Sequence, residues 1–201
     1  MKAIIKSVPI LCALFSPVIF ACEKPASVCF QDNEGLPLIS DGQPLPIIIS
    51  PSADSAVKRV AEAFSQDIQR VGGKPADISQ NQSISQPAVI IGVLGEDALI
   101  DELVQKGKLD VSQIKGQWEA YKIAVVEKPM PDVEHALVIV GADRRGAIFG
   151  TFEISEQMGV SPWYWFADVP TEQKSNVFIT AGSTQDQPKV RYRAIFINDE
   201  D

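Results

Sequence analysis

Apolar and polar positions repeat with two different periods along this chain, and the switches between them mark its elements. Short apolar runs at 36–39 and 46–50 flank the turn pair Asp41-Gly42, which predicts a β-hairpin. Ser50-Pro51 then offers a capping residue and a first-turn proline. Val57, Val60, Ala61, Phe64, Ile68 and Val71 follow at helical spacing up to Gly72-Gly73, predicting the best-defined helix of the chain. Residues 88–95 form a continuous apolar run of buried-strand type and 97–106 read as a short helix. Residues 119–126 and 136–141 read as two strands joined by a proline-rich turn. Strands interleaved with helices predict an α/β (α+β) domain over 36–188, a mixed β-sheet covered by helices.

The stretch GADRRGAIFGTFEISEQMGVSPWYWFADVP, residues 141–170, carries the most information. Asp143 can cap a helix over 144–158 that stops at Gly159, with Ile148, Phe149, Phe152 and Met158 as its apolar stripe. Gly146 and Gly150 fall on one face of that helix, and their cost in helix stability points to close approach against the sheet. The pattern matches neither nucleotide-binding glycine fingerprint. Trp163, Tyr164, Trp165 and Phe166 follow in a loop opened by Ser161-Pro162. Four aromatics in a row cannot all face one core. Two readings fit them: packing against a neighbouring domain, or a sugar-stacking platform in which Trp163 and Trp165 bind substrate.

The last stretch, KVRYRAIFINDED at 189–201, reads as a strand over 191–197 that runs without a turn residue into Asn198, Asp199, Glu200 and Asp201. A solvated acidic tail is the plain reading. An apolar strand that delivers acids from its C-terminal end is also how a barrel enzyme begins an active site.

Composition narrows the choices. A formal net charge of −8 with no Lys/Arg run argues against nucleic acid or an anionic membrane surface as partner. Residues 1–21 hold Lys2 and Lys6 ahead of an apolar run and read as an export signal, so the chain is expected in a periplasmic or extracellular compartment. The residues around Cys22 resemble a lipoprotein box, in which Cys22 would be acylated and anchor the chain at the cell surface. In ordinary cleavage Cys22 survives and can pair with Cys29 across a polar linker, 22–35. His135 is the only histidine and the cysteines are few, which leaves no metal-ligand spacing, no catalytic triad and no implied cofactor.

Residues 141–170 followed by 189–201 resemble the junction between the N-terminal domain and the catalytic barrel of the glycoside hydrolase family 115 xylan α-glucuronidases, and 37–78 is similar to the start of that N-terminal domain. The resemblance implies that 36–188 is the accessory domain, that 189–201 is the first strand of a truncated (β/α)8 barrel, and that the cluster Asn198 to Asp201 lies at its active-site end. It further implies inverting hydrolysis that releases (4-O-methyl)glucuronic acid from glucuronoxylan, and it allows a homodimer for the complete enzyme. Inversion needs two carboxylates about 6.5 to 9.5 Å apart. Asp199 and Asp201 are the catalytic candidates, one of them serving with a partner on another strand, and Asn198 is a substrate-binding candidate. Arg144, Arg145, Arg191 and Arg193 are the cations available for a uronate. A barrel needs roughly 250 residues, so the chain alone is expected to be inactive. The alternative is a non-enzymatic xylan-binding or surface lipoprotein module.

Overall fold

The computed structural model describes residues 22, 24–31, 35–81 and 85–194. The export signal and the candidates Asn198, Asp199 and Asp201 lie outside the described residues. In chain order the strands are β1 (Val28–Cys29), β2 (Leu36–Ser40), β3 (Gln43–Pro44), β4 (Ile47–Ile49), β5 (Ile78–Ser79) and β6 (Ala88–Val93). They continue as β7 (Tyr121–Met130), β8 (Val133–Gly141), β9 (Val177–Ile179) and β10 (Ser183–Asp186). The helices are α1 (Ser55–Gly72), α2 (Ala98–Gln105), α3 (Arg144–Gln157) and the one-turn α4 (Tyr164–Ala167).

Six strands form a mixed sheet in the order β10-β7-β8-β6-β4-β5, parallel from β8 to β5 and antiparallel from β8 outward through β7 to β10. Alternation along its strands divides the core in two. Ile47, Ile49, Val89, Ile91, Leu137 and Ile139 pack with Phe64, Ile68 and Ile154 from α1 and α3. Ile48, Ile90, Val138 and Val140 pack with Leu99, Ile100 and Leu103 from α2, and with Leu109, Val111 and Ile114. Burying both faces is why β6 reads as an unbroken apolar run. The predicted mixed sheet covered by helices is therefore the observed architecture.

Local chemistry revises three boundaries. Across Asp41-Gly42, both in the left-handed region at φ 48° and 71°, the hairpin partner of β2 is β3, while Ile47–Ile49 crosses into the large sheet. Pro46 starts that crossing, its carbonyl accepting from the Val89 N–H at 2.8 Å. The first long helix starts at Ser55, because the Asp54 carboxylate accepts the Ala56 N–H at 2.7 Å, and not at Ser50, whose hydroxyl instead meets Ser52 in a turn. In the segment read as a linker, Val28–Cys29 is a strand of a small antiparallel sheet, β1-β9-β2-β3, that closes one end of the α1/α3 core. Ala26 is buried and Cys22 is disulfide-bonded to Cys29, with their Cα atoms 5.7 Å apart.

Helix α3 departs most from expectation. Asp143 caps it through Gly146 N–H at 2.9 Å, as the sequence predicts, but its buried face is Gly146, Ala147, Gly150, Thr151, Ile154 and Ser155. Phe152 points outward and is 46% exposed, and Phe149 is half-buried. Of the expected stripe Phe152 thus faces outward, Ile148 and Phe149 are half-buried and Met158 is buried, since along Gly146 and Gly150 the helix lies too close to the sheet for large side chains. An ideal Cβ on Gly150 would stand 2.9 Å from Tyr121 Cδ2 and 3.0 Å from Ile139 Cγ2, and one on Gly146 would overlap the Ala120 carbonyl oxygen.

Candidate functional site

Each of the three parallel strands leading into a helix delivers an aspartate to that helix's N-cap. Asp54 follows β4, Asp97 follows β6 and Asp143 follows β8, and each carboxylate accepts one or two amide protons of the helix it starts. In an open parallel sheet the crevice between strands whose connections diverge is the usual ligand site. Here it lies between β4 and β6, lined by Ser50, Ala53, Asp54, Gly92, Val93, Glu96 and Asp97. Its free volume is about 10 Å³, no more than one water needs. Asp54 is held below the ordinary carboxylate range, first by its Ala56 amide bond and then by Arg144. A negatively charged, filled crevice does not receive a phosphate or a sugar acid. Among the described residues, no group of three His, Cys, Asp or Glu could hold a metal ion.

The aromatic stretch is a single helical turn and not a loop. Trp163 occupies the N-cap of α4, Trp165 is its second residue, and Asp168 ends it in the left-handed region at φ 47°. Trp163 is 64% exposed and Phe166 87% exposed, their rings edge to face with centroids 6.5 Å apart. Tyr164 anchors the turn downward. Its hydroxyl accepts from the Arg70 guanidinium at 2.9 Å, and the same guanidinium carbon stands 4.5 Å from its ring centroid. Arg70 in turn pairs with buried Asp67 at 2.8 Å. The exposed turn thus rests on a chain of contacts, Asp67–Arg70–Tyr164, that spacing in the sequence does not reveal: Arg70 and Tyr164 are 94 positions apart.

Burial pushes Asp67 above the ordinary carboxylate range, against the smaller opposing effects of Ser155 and Arg70. A carboxyl whose folded pKa exceeds its unfolded value adds stability that is fully present below the unfolded pKa and lost as pH rises through the folded one. Lowering the pH from 7 toward 4 should therefore favour wild type over Asp67→Asn, with the difference in Tm between the two growing steadily. A difference that is flat or shrinks over that range would show that the Arg70 ion pair outweighs desolvation.

A second cluster gathers at the start of α3. Glu119 sits at φ 54°, in the left-handed region that non-glycine residues seldom occupy, and its N–H donates to Asp143 Oδ2 at 2.8 Å. Its carboxylate, 9% exposed, accepts from Arg145 at 2.9 Å on one oxygen and from Arg193 on the other. Of the four arginines considered for a uronate, Arg145 and Arg193 are thus held by Glu119, and Arg144 reaches Asp54 at 3.3 Å. Arg191 is exposed. The strand expected over 191–197 is not formed in its described part, 191–194.

These two clusters flank α3, the aromatic turn beyond its C-terminus and Glu119 at its N-terminus. At 1.5 Å per residue the 14-residue helix separates them by roughly 20 Å. Glu119, Trp118, Arg70 and Asp67 were not legible as site residues. In the sequence Glu119 reads only as the first residue of a strand, which in the structure starts at Tyr121, and its partners Asp143 and Arg193 lie 24 and 74 positions away.

A sheet with helices on both faces and an outward aromatic turn is compatible with many proteins, and comparison narrows it to a class. Over 83% of its length the chain superposes on a family GH115 4-O-methyl-α-glucuronidase with specificity for decorated arabinogalactans, with a TM-score of 0.68 and 36% sequence identity. The chain is therefore a glycoside-hydrolase-like domain, and it resembles family 115 in both fold and sequence. It spans 20% of the length of that enzyme. Solved β-N-acetylhexosaminidases align more loosely. One of family GH20 from Streptomyces coelicolor A3(2) gives 15% identity and a TM-score of 0.44 over 84% of this chain and 26% of its own. One from Streptomyces plicatus gives 14% and 0.46 over 84% and 26%. A comparison with protein-family models finds no match, and neither does one with curated protein sequences.

Proposed function

We propose that this chain is the N-terminal part of an exported α-glucuronidase that removes (4-O-methyl)glucuronic acid from a plant polysaccharide with inversion at the anomeric carbon. The observation that carries the reading is the 36% identity with the family GH115 enzyme over 83% of the chain. Here 36–188 is the accessory domain and 189–201 leads into the catalytic barrel. Asp199 or Asp201 supplies one of the two carboxylates an inverting hydrolysis requires, and Asn198, Trp163 and Trp165 contact sugar. Glucuronoxylan is the substrate proposed from the sequence, and the matched enzyme's decorated arabinogalactans are the alternative carrier of the same uronic acid. Assay of the complete enzyme on both separates them, and its mass in solution tests the homodimer proposed with them.

The purified 201-residue chain should release no uronic acid from either polysaccharide, because one strand's acids cannot surround a glycosidic bond with the donors and second carboxylate it needs. The complete enzyme should release it with inversion, read from the anomer first formed by NMR. In it, Asp199→Asn or Asp201→Asn should lower kcat by about 10² or more, the range for losing an acid or base, and Glu200→Gln by much less. Turnover by the 201-residue chain, or a Glu200 defect larger than both aspartate defects, overturns the assignment.

A second reading, a non-catalytic polysaccharide-binding module, rests on the outward Trp163 and Phe166. It requires xylo-oligosaccharides to shift the tryptophan fluorescence of the 201-residue chain, with the shift lost in Trp163→Ala. Absence of any shift removes it.

A further inference from the structure

We propose that Glu119 is a positioning residue: by gripping Arg193 it fixes where the chain leaves the domain. Residues 187–194 form neither helix nor strand, and Lys189, Val190, Arg191 and Tyr192 are exposed. Arg193 is exposed as well, but 35% of its side-chain surface is left open, against 59% exposure for Val190 and 86% for Tyr192. Its guanidinium bonds the Glu119 carboxylate on one side and donates to its own segment's Val190 carbonyl at 2.7 Å. It also stands 5.2 Å from the Phe149 ring centroid and 5.9 Å from that of Trp118. A planar, weakly hydrated cation between two rings and a carboxylate is a site that suits arginine and not lysine.

The far half of the grip is rigid. Glu119 is held in its left-handed conformation by Asp143, which uses one carboxylate oxygen for the Glu119 amide and the other to cap α3 at Gly146. Arg145, from the first turn of the helix that Asp143 caps, takes the remaining Glu119 oxygen. The carboxylate therefore stays neutralised whether or not Arg193 is present, so release of the exit segment leaves no bare buried charge behind. Phe149, half-buried and packed against the core beneath α3, also serves as the floor under Arg193. That this fixes the starting point of Asp199 and Asp201, six and eight positions on, rests on the α-glucuronidase reading. The grip itself does not.

Limited trypsin digestion of the 201-residue chain tests it, because the Arg193 side chain must leave Glu119 to enter the protease's specificity pocket. Arg191 and Lys189, exposed on the same segment, serve as internal references. The initial yield of the product ending at Arg193 is measured against that ending at Arg191, and the ratio is normalised to the same ratio in a free peptide of residues 187–201. In wild type the normalised ratio should be depressed at least tenfold, about what one charge-assisted hydrogen bond supports. Glu119→Gln should return it most of the way to the peptide value while bonds inside the fold, after Lys122 and Arg144, stay uncut. Should Glu119→Gln open the whole domain, Arg193→Lys decides, since it leaves the fold untouched, keeps a trypsin site and removes the planar fork. A wild-type ratio equal to the peptide's, or a ratio unchanged by Glu119→Gln in a folded chain and by Arg193→Lys, overturns the proposal. None of these outcomes depends on glucuronidase activity, so failure of the functional reading registers separately, in the polysaccharide assay.

Discussion

Gly146→Ala should cost the domain about 3 kcal/mol or more, the upper end for forcing atoms into a packed site. The added methyl would overlap the Ala120 carbonyl oxygen, and backbone on both sides leaves no flexible side chain to yield. Relief requires the first turn of α3 to lift, which pulls the Asp143 cap away from both Gly146 and Glu119. For a domain of this size the loss corresponds to roughly 6 to 12 °C in Tm. Gly150→Ala is the internal comparison. Its methyl would meet the Tyr121 and Ile139 side chains at 2.9 and 3.0 Å, and those can shift, so a smaller loss of about 1 kcal/mol is expected. Thermal unfolding of the two variants checks the order, and equal or reversed losses would mean that α3 is not seated on Ala120.

Phe64→Ala should destabilise by about 3 to 5 kcal/mol, the range for truncating a buried phenylalanine. Phe64 is fully buried on α1, in the cluster that joins β4, β6 and β8 to α1 and α3, so no solvent-side collapse can refill its volume. Phe152→Ala should stay within about 0.5 kcal/mol, as an exposed substitution does. The two phenylalanines look alike in sequence, each within a helical pattern, and their opposite predicted costs follow from the structure alone. Urea unfolding with the slope held common measures both. A Phe152 loss above the Phe64 loss would restore the core-facing orientation that periodicity suggests.

The helices and buried strands could be read directly because each satisfies one local rule at a time. α1 announces itself by apolar spacing and ends at Gly73, which takes the left-handed φ of 87° that glycine tolerates. β6 does so by its unbroken apolar run, and α3 by Asp143 and Gly159. The family resemblance was likewise present in local strings. Partner choice was not. Ile47–Ile49 follows a good hairpin turn, and only the sheet, where Ile48 and Ile49 pair with Ile90 and Ile91, shows that it leaves the hairpin.

The sequence by itself determined the order of elements, the capping of α3 by Asp143, the need for small residues at 146 and 150, and the kinship with family 115. These depend on neighbours a few positions apart, whose geometry the backbone repeats regardless of the rest of the fold. Only the tertiary structure decided where the large apolar residues of α3 go, since close seating on the sheet selects glycine and alanine at the contact and leaves Phe152 outside. It alone decided the partners of the charges. Arg70 reaches Tyr164, Arg144 reaches Asp54, and Arg145 and Arg193 converge on Glu119. Long side chains carry their charges several ångströms from the backbone, and which opposite charge they meet depends on how helices and loops distant in sequence come together, for which a linear pattern holds no signal.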